Sequence, residues 1–231
     1  MIQAHHPETH FTSSKLVRDA VLGIADGLTV PFALAAGISG ALNVTEVVII
    51  AGLAEIAAGT ISMGLGGYLA AKSDAEHYAK EHAREHKEVR EMPETEVAEV
   101  KGIFKSYGLT ETEAGTIAEG LKTRPQEWVD FMMRFELGLE RPRADQAMLS
   151  ALTIGGAYAL GGFIPLGPYF FLPSTQKALI FSSILTLCAL FLFGYIKGLY
   201  TGLRPLRSAV HMALIGGLAA ATAFFIARLI V

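Results

Sequence analysis

The residues with most to offer chemically are acids placed deep inside apolar runs. Asp26 falls near the middle of a hydrophobic run over residues 16–42, and Glu55 near the middle of a second over 47–71. An ionised carboxylate at that depth of a bilayer costs a few kcal/mol or more on insertion scales, so each must face protein, water or a cation rather than lipid. Asp19 and Asp26 are seven residues apart with Gly23 between them, which puts them about 20° from a common helix face. On the second run Glu55, Gly59, Ser62 and Gly66 share a face at helical spacing. Met63 flanks that face, about two turns closer to Lys72. Carboxylates joined by a thioether suit a transition metal better than calcium or magnesium. The pattern reads as a cation path through a membrane. The competing reading is a hydrogen-bonded acid that braces helices and a methionine that fills space.

A second set of acids lies in a polar stretch. Glu85 and Glu88 are three residues apart, Glu96 and Glu99 repeat that spacing, and Met132 and Met133 precede Glu136. Residues three or four apart on a helix converge on one face. Glutamate pairs projecting inward from several helices are how ferritin-like bundles build carboxylate metal sites. A solvated acidic face is the plainer explanation of most Glu-rich helices. The recurring spacing and the methionine pair beside a glutamate argue for ligands here. No EF-hand loop, Cys-pair motif or His-Glu-x-x-His motif is present. His77, His82 and His86 read as surface residues on a charged helix. Glu111, Glu113 and Glu119 read as capping and solubility residues.

These residues need helices in two environments to position them. The chain has 231 residues, is 52% hydrophobic and 18% charged, and its mean hydropathy is +0.41. That is too apolar for an ordinary soluble domain and too charged for a bare helix bundle. Residues 72–145 hold 17 of the 22 acids and 12 of the 19 bases. The expected layout is an N-terminal tail over 1–14, membrane helices 1 and 2 over 15–72, a helical acid-rich insert over 73–145, and membrane helices 3 to 5 over 146–231. The fold class is therefore an all-α membrane protein of five transmembrane helices with a helical insert between the second and third.

Within that layout, Pro31 is expected to kink and open helix 1, exposing carbonyls to a cavity. Helix 2 has no stop signal at Ala71 and is expected to run on to about residue 89. Thr110 and Glu113 form a capping box opening a helix to about 122, and Pro125 opens another to about 139. Helix 3 is expected over about 147–164, with Pro165, Gly167, Pro168 and Pro173 forming the loop after it. Helix 4 is expected over 178–200 with Gly194, Gly198 and Gly202 as a close-packing stripe, and helix 5 over 208–229. Cys188 reads as a small buried hydrophobe. The histidines His5, His6 and His10 read as part of a mobile tail. The first apolar run is too long, and carries too many acids, for a cleavable signal.

Five spans put the two ends of the chain on opposite sides. Lys15, Arg18, Lys72, the insert, Lys197, Arg204 and Arg207 fall on one side; Glu46, Lys177 and Arg228 fall on the other. The positive-inside rule makes the first side cytosolic, with the C-terminus lumenal. A net charge of −3 gives no footprint for nucleic acid.

The residues Arg18-Asp19, Gly23, Asp26-Gly27, Pro31-Phe32-Ala33-Leu34, Glu55 and Ser62-Met63-Gly64 resemble the vacuolar iron transporter family in its plant form, over essentially the whole chain. The resemblance implies a five-span homodimer of the vacuolar membrane. Such a dimer moves Fe²⁺ from cytosol to vacuole in exchange for protons, and a cytosolic domain gathers the metal. Carried over by position, it implies Asp26, Glu55 and Met63 for the path, and Glu85, Glu88, Glu96, Glu99, Met132, Met133 and Glu136 for the cytosolic site. Bacterial relatives commonly carry Gly-Glu-Tyr where this chain has Gly66-Gly67-Tyr68, so no ligand role carries to position 67. No prosthetic group is expected. Fe²⁺ is the substrate, and Zn²⁺, Co²⁺, Mn²⁺ and Ni²⁺ are expected to compete for the same ligands. A passive channel and a membrane-tethered ferroxidase or storage module are the alternatives. The ferroxidase would leave Asp26 and Glu55 without a purpose.

Overall fold

The computed structural model describes residues 15–202 and 204–231; His5, His6 and His10 lie outside them. All regular secondary structure among the described residues is helical: α1 (Lys15–Ala41), α2 (Thr45–Glu91), α3 (Pro93–Ser106), α4 (Glu111–Lys122), α5 (Pro125–Phe135), α6 (Gln146–Phe171), α7 (Thr175–Tyr200) and α8 (Pro205–Ile230). Five of them, α1, α2, α6, α7 and α8, are long and apolar enough to cross a membrane. The chain divides into two compact units, one of the described residues up to Leu69 with Ala147–Val231, the other Ala70–Gln146. Helix α2 contributes residues to both.

In the first unit, small residues let backbones touch. A Cβ at Gly23 would collide with the carbonyl oxygen of Ile154, and one at Gly27 with the backbone of Tyr158. From the other side, a Cβ at Gly161 would lie 3.0 Å from the Ile24 carbonyl oxygen and 3.1 Å from Leu28 N. Helices α1 and α6 therefore cross at backbone contact, which only residues without side chains permit. The crossing is pinned by Ser150, whose hydroxyl donates to Asp19 Oδ2 at 2.6 Å. On α7, Gly194 and Gly198 meet Ala209 and Pro205 of α8 in the same way, as the four-residue glycine spacing predicts. Gly202 instead takes a φ of 67° in the turn after α7.

Several expectations are corrected. Helix α1 runs through Pro31 without a break. Helix α6 runs through Pro165 and Pro168 to Phe171, so the prolines expected to form a loop lie inside a helix and the connection shrinks to 172–174. Proline is tolerated in a membrane helix where neighbours satisfy the disturbed backbone. Ser182 of α7 donates to the Pro165 carbonyl at 2.6 Å, which ties α7 to this proline-containing stretch. Helices α7 and α8 begin three residues earlier than expected, α8 with Pro205 in its first turn, where the missing N–H is harmless. Cys188 is exposed on α7, not buried; a small thiol is as compatible with an apolar surrounding outside the protein as inside it.

In the second unit, Val89, Val97, Val100, Ala118, Trp128, Val129, Met132 and Met133 form one buried apolar core. The Thr110–Glu113 capping box is formed in both directions. Helix α5 ends at Phe135 rather than near 139, leaving Glu136 as its C-cap.

The α1–α6 crossing leaves no room for a side chain at position 23. Gly23→Val is expected to lower stability by about 1–3 kcal/mol through overpacking. Gly102→Ala, where a Cβ meets nothing within 4 Å, is expected to be neutral or slightly stabilising. Thermal unfolding of the two variants in detergent, followed by size-exclusion chromatography, checks both.

Candidate metal sites

The first site sits among the long apolar helices. Asp26 on α1 and Glu55 on α2 are each partly buried. Tyr158 of α6, only 2% exposed, donates its hydroxyl hydrogen to Glu55 Oε1. Asp26 precedes Gly27, which lies against the backbone of Tyr158, as Gly59 of α2 lies against its ring, so the two acids stand on helices that both meet Tyr158. The other oxygen of Glu55, Oε2, is buried and has no hydrogen-bond partner. A buried charged acceptor left unpaired is costly unless a cation completes it. Glu55 also lines one end of an open, otherwise apolar groove of about 620 Å³, walled by residues such as Thr29, Ala33 and Gly37 of α1 and Ala223 of α8.

Not every expected member joins this group. Asp19 is buried and bound to Ser150, with the Arg18 guanidinium 4.0 Å away, so it braces α1 against α6. On the Glu55 face, Gly59 lies against the ring and hydroxyl of Tyr158, whereas Gly66 faces open space and Ser62 is exposed. Met63 is partly buried. Tyr158 and Ser150 were not legible beforehand. The one hint was a tyrosine within the small-residue run Gly155-Gly156-Ala157, a hydroxyl with no obvious partner on its own helix.

The second site lies wholly within the insert. One oxygen each of Glu85 on α2, Glu96 on α3 and Glu136 after α5 falls within 4.8 Å of the others. Glu85 is 1% and Glu96 3% exposed, and each has a buried Oε2 without a hydrogen-bond partner. The Glu85 carboxyl is pushed up to about 7 by burial, by the charges of Glu136, Glu88 and Glu99, and against the opposing pull of Arg84. Glu96 is pushed up to about 7 by burial and by Glu99, Glu85, Glu136 and Glu88. Glu136 is raised, chiefly by burial and then by Glu99. The charges of Glu88 and Glu99 thus bear on the three carboxyls that come together. Glu85 and Glu96 supply buried oxygens and Glu136, an exposed residue, closes the group from the solvent side; Glu88 and the exposed Glu99 add negative charge on the same two helices.

Arg84 is the basic group nearest this cluster. It sits 2.7 Å from Glu81, 3.2 Å from Glu88 and 3.5 Å from Glu85, and about half of its side chain is exposed. A solvated guanidinium offsets the rim rather than the buried centre. Met132 and Met133 are fully buried in the core, on the turn of α5 that ends in Glu136. The histidines align along α2 instead, His82 between Tyr78 and His86 in ring contact. Glu113 closes its capping box, and Glu111 pairs with Lys105 at 2.9 Å, as their expected capping and surface roles require.

Because the folded site raises the Glu85 and Glu96 carboxyls from 4.5 to about 7, it favours their neutral forms. That stabilisation is complete below the unfolded value and is lost as pH climbs through about 7. The single tryptophan, Trp128, lies in the insert core, so its fluorescence reports on this unit. Without metal, the Trp128 melting temperature is expected to fall between pH 5 and pH 8, and E85Q with E96Q to flatten the slope. Added divalent metal is expected to restore stability at pH 8 and much less at pH 5, because binding requires the protons to leave.

The comparisons with known proteins agree with this architecture. The VIT family profile matches residues 17–228. The chain is 56% identical to Vacuolar iron transporter 1 of Oryza sativa subsp. japonica over 97% of its own length and 89% of that protein's. It is 55% identical to Vacuolar iron transporter 1 of Arabidopsis thaliana, covering 98% and 90% of the two chains. It is 37% identical to Protein CCC1 of Saccharomyces cerevisiae over 94% of this chain and 69% of the other. With a match over nearly all its length and plant relatives at more than half identity, the chain belongs to the VIT family.

Proposed function

We propose that this protein carries Fe²⁺ from the cytosol into the vacuole in exchange for protons, with the insert collecting the metal on the cytosolic side. The observation that carries the reading is the pair of acids, Asp26 and Glu55, on membrane-length helices that both meet Tyr158, with Glu55 Oε1 held by its hydroxyl and Oε2 buried and unpartnered. Relatives named for vacuolar iron transport supply the ion and the compartment. The Lys and Arg distribution supplies the orientation, with the insert cytosolic and the C-terminus lumenal.

The ligand chemistry gives the mechanism. In the insert, Glu85, Glu96 and Glu136 hold the ion, Glu88 and Glu99 concentrate it electrostatically, and Met132 and Met133 are the thioethers nearest to hand in sequence. In the membrane, Met63 hands the ion towards Asp26 and Glu55. Ionised carboxylates hold the metal; protons from an acidic lumen displace it, and the ion leaves as the protons enter. Two or three protein ligands are too few to strip Fe²⁺ of its water. The partly exposed Glu55 at the end of an apolar groove favours a homodimer in which a second copy brings its own acids to the path. Zn²⁺, Co²⁺, Mn²⁺ and Ni²⁺ compete for the same oxygen and sulfur donors.

In reconstituted vesicles, Fe²⁺ uptake is expected to rise with an acidic interior, which separates exchange from a passive channel. Asp26→Asn and Glu55→Gln keep shape and most hydrogen bonding; each is expected to fold, dimerise and lose nearly all uptake, while Met63→Leu costs less. Wild-type rates in both carboxamide variants would end the reading of these helices as the path. Glu85→Ala with Glu88→Ala is expected to reduce uptake at low Fe²⁺ more than at saturating Fe²⁺, and unchanged metal binding in calorimetry would reduce the cluster to a solvated face.

A further inference from the structure

We infer that Tyr158 is a positioning residue for the cation: its hydroxyl fixes one oxygen of Glu55 and leaves the other free to bind metal. The inference rests on the reading of Glu55 as a path residue. Glutamate has three rotatable bonds, and a carboxylate that must be ordered when the ion arrives loses affinity to that ordering. In this protein the ordering is done in advance. The Tyr158 hydroxyl holds Oε1, and Oε2 remains buried without a partner.

The surroundings of Tyr158 are built for that single contact. The tyrosine is 2% exposed, and two glycines on different helices make its berth. Gly27 of α1 lies against its backbone, and Gly59 of α2 lies against Cε1, Cζ and the hydroxyl of its ring. A Cβ at Gly59 would occupy the space of the ring tip. Gly59 is one turn from Glu55 on α2, so the ring passes over the residue where a side chain would block its approach to the carboxylate. A tyrosine there for packing alone would have no need of its oxygen. In this position the oxygen is paired, and its partner is the buried acid of the path.

The geometry separates Tyr158 from the ligands themselves. A hydroxyl that donates to Glu55 contributes through the carboxylate, so its loss should weaken capture of the ion more than turnover of the loaded site. Removing only the oxygen, Tyr158→Phe keeps the ring against Gly59 and the backbone against Gly27. The apparent KM for Fe²⁺ is expected to rise about tenfold, the order expected for one hydrogen bond to a charged group, with the maximal rate within about twofold of wild type.

The test is Fe²⁺ uptake by the full chain in vesicles with an acidic interior, run on wild type, Tyr158→Phe, Gly59→Ala and Glu55→Gln. Gly59→Ala keeps the tyrosine but drives a Cβ into its ring tip and hydroxyl, and is expected to reproduce the rise in KM. If Glu55→Gln abolishes uptake while Tyr158→Phe keeps the wild-type KM, the positioning role is overturned and the path reading stands. A lowered maximal rate at unchanged KM in Tyr158→Phe overturns it too. If Glu55→Gln transports as wild type, the path reading falls and this inference falls with it. Should Tyr158→Phe fail to fold, Gly59→Ala decides: a raised KM supports the role, and a wild-type KM removes it.

Discussion

The structure turns on one constraint, the cost of holding a carboxylate away from water with nothing of opposite charge beside it. That cost is paid in two different settings. Among the long apolar helices, Glu55 is half satisfied by the Tyr158 hydroxyl and left with a bare oxygen. In the insert, Glu85 and Glu96 are buried almost completely and crowd Glu136, with their nearest cation, Arg84, lying partly in solvent. An isolated buried carboxylate answers that cost by taking up a proton or by finding a cation. Either answer relieves the cost at both sites.

The packing follows from the same constraint. For Tyr158 of α6 to reach Glu55 of α2 while its backbone lies against α1, three helices must come closer than ordinary side chains allow. Gly23 and Gly27 on α1, Gly161 on α6 and Gly59 on α2 provide the space. Asp19 is then spent on the crossing: its bond to Ser150 ties α1 to α6, which fixes the height of Asp26 two turns further on. Two acids that look alike in sequence thus divide the work, one locking the helices and the other remaining available.

Much of the fold was legible, and the reasons are physical. Hydropathy over some twenty residues has few explanations other than a membrane span, so the five spans stood out. The Thr110–Glu113 cap is a local device, complete within four residues, and it formed as read. Prolines misled because their effect is not local. Pro165 and Pro168 commonly end a helix in water, but α6 runs through both to Phe171, and the side-chain contact at this stretch comes from Ser182, seventeen residues away. The α5 end was misplaced by a few residues for the usual reason that helix termini are weakly specified.

The candidate sites divide along the same line. The spacing could say only that Glu85 and Glu88, and Glu96 and Glu99, share a helix face; in the structure one oxygen each of Glu85, Glu96 and Glu136 lies within 4.8 Å of the others. Which of these glutamates would be buried was not readable, since Glu96 and Glu99 carry the same side chain on the same helix and differ only in what packs over them. Tyr158 was invisible for a further reason. Its partner lies 103 residues away, and an isolated tyrosine in an apolar helix has many ordinary explanations. Only contact can distinguish them, and contact here gives the hydroxyl one partner, a charged acceptor that would otherwise have both oxygens free to move. The specificity of such a site therefore resides less in the acids, which composition reveals, than in the neutral group that decides where one of them points.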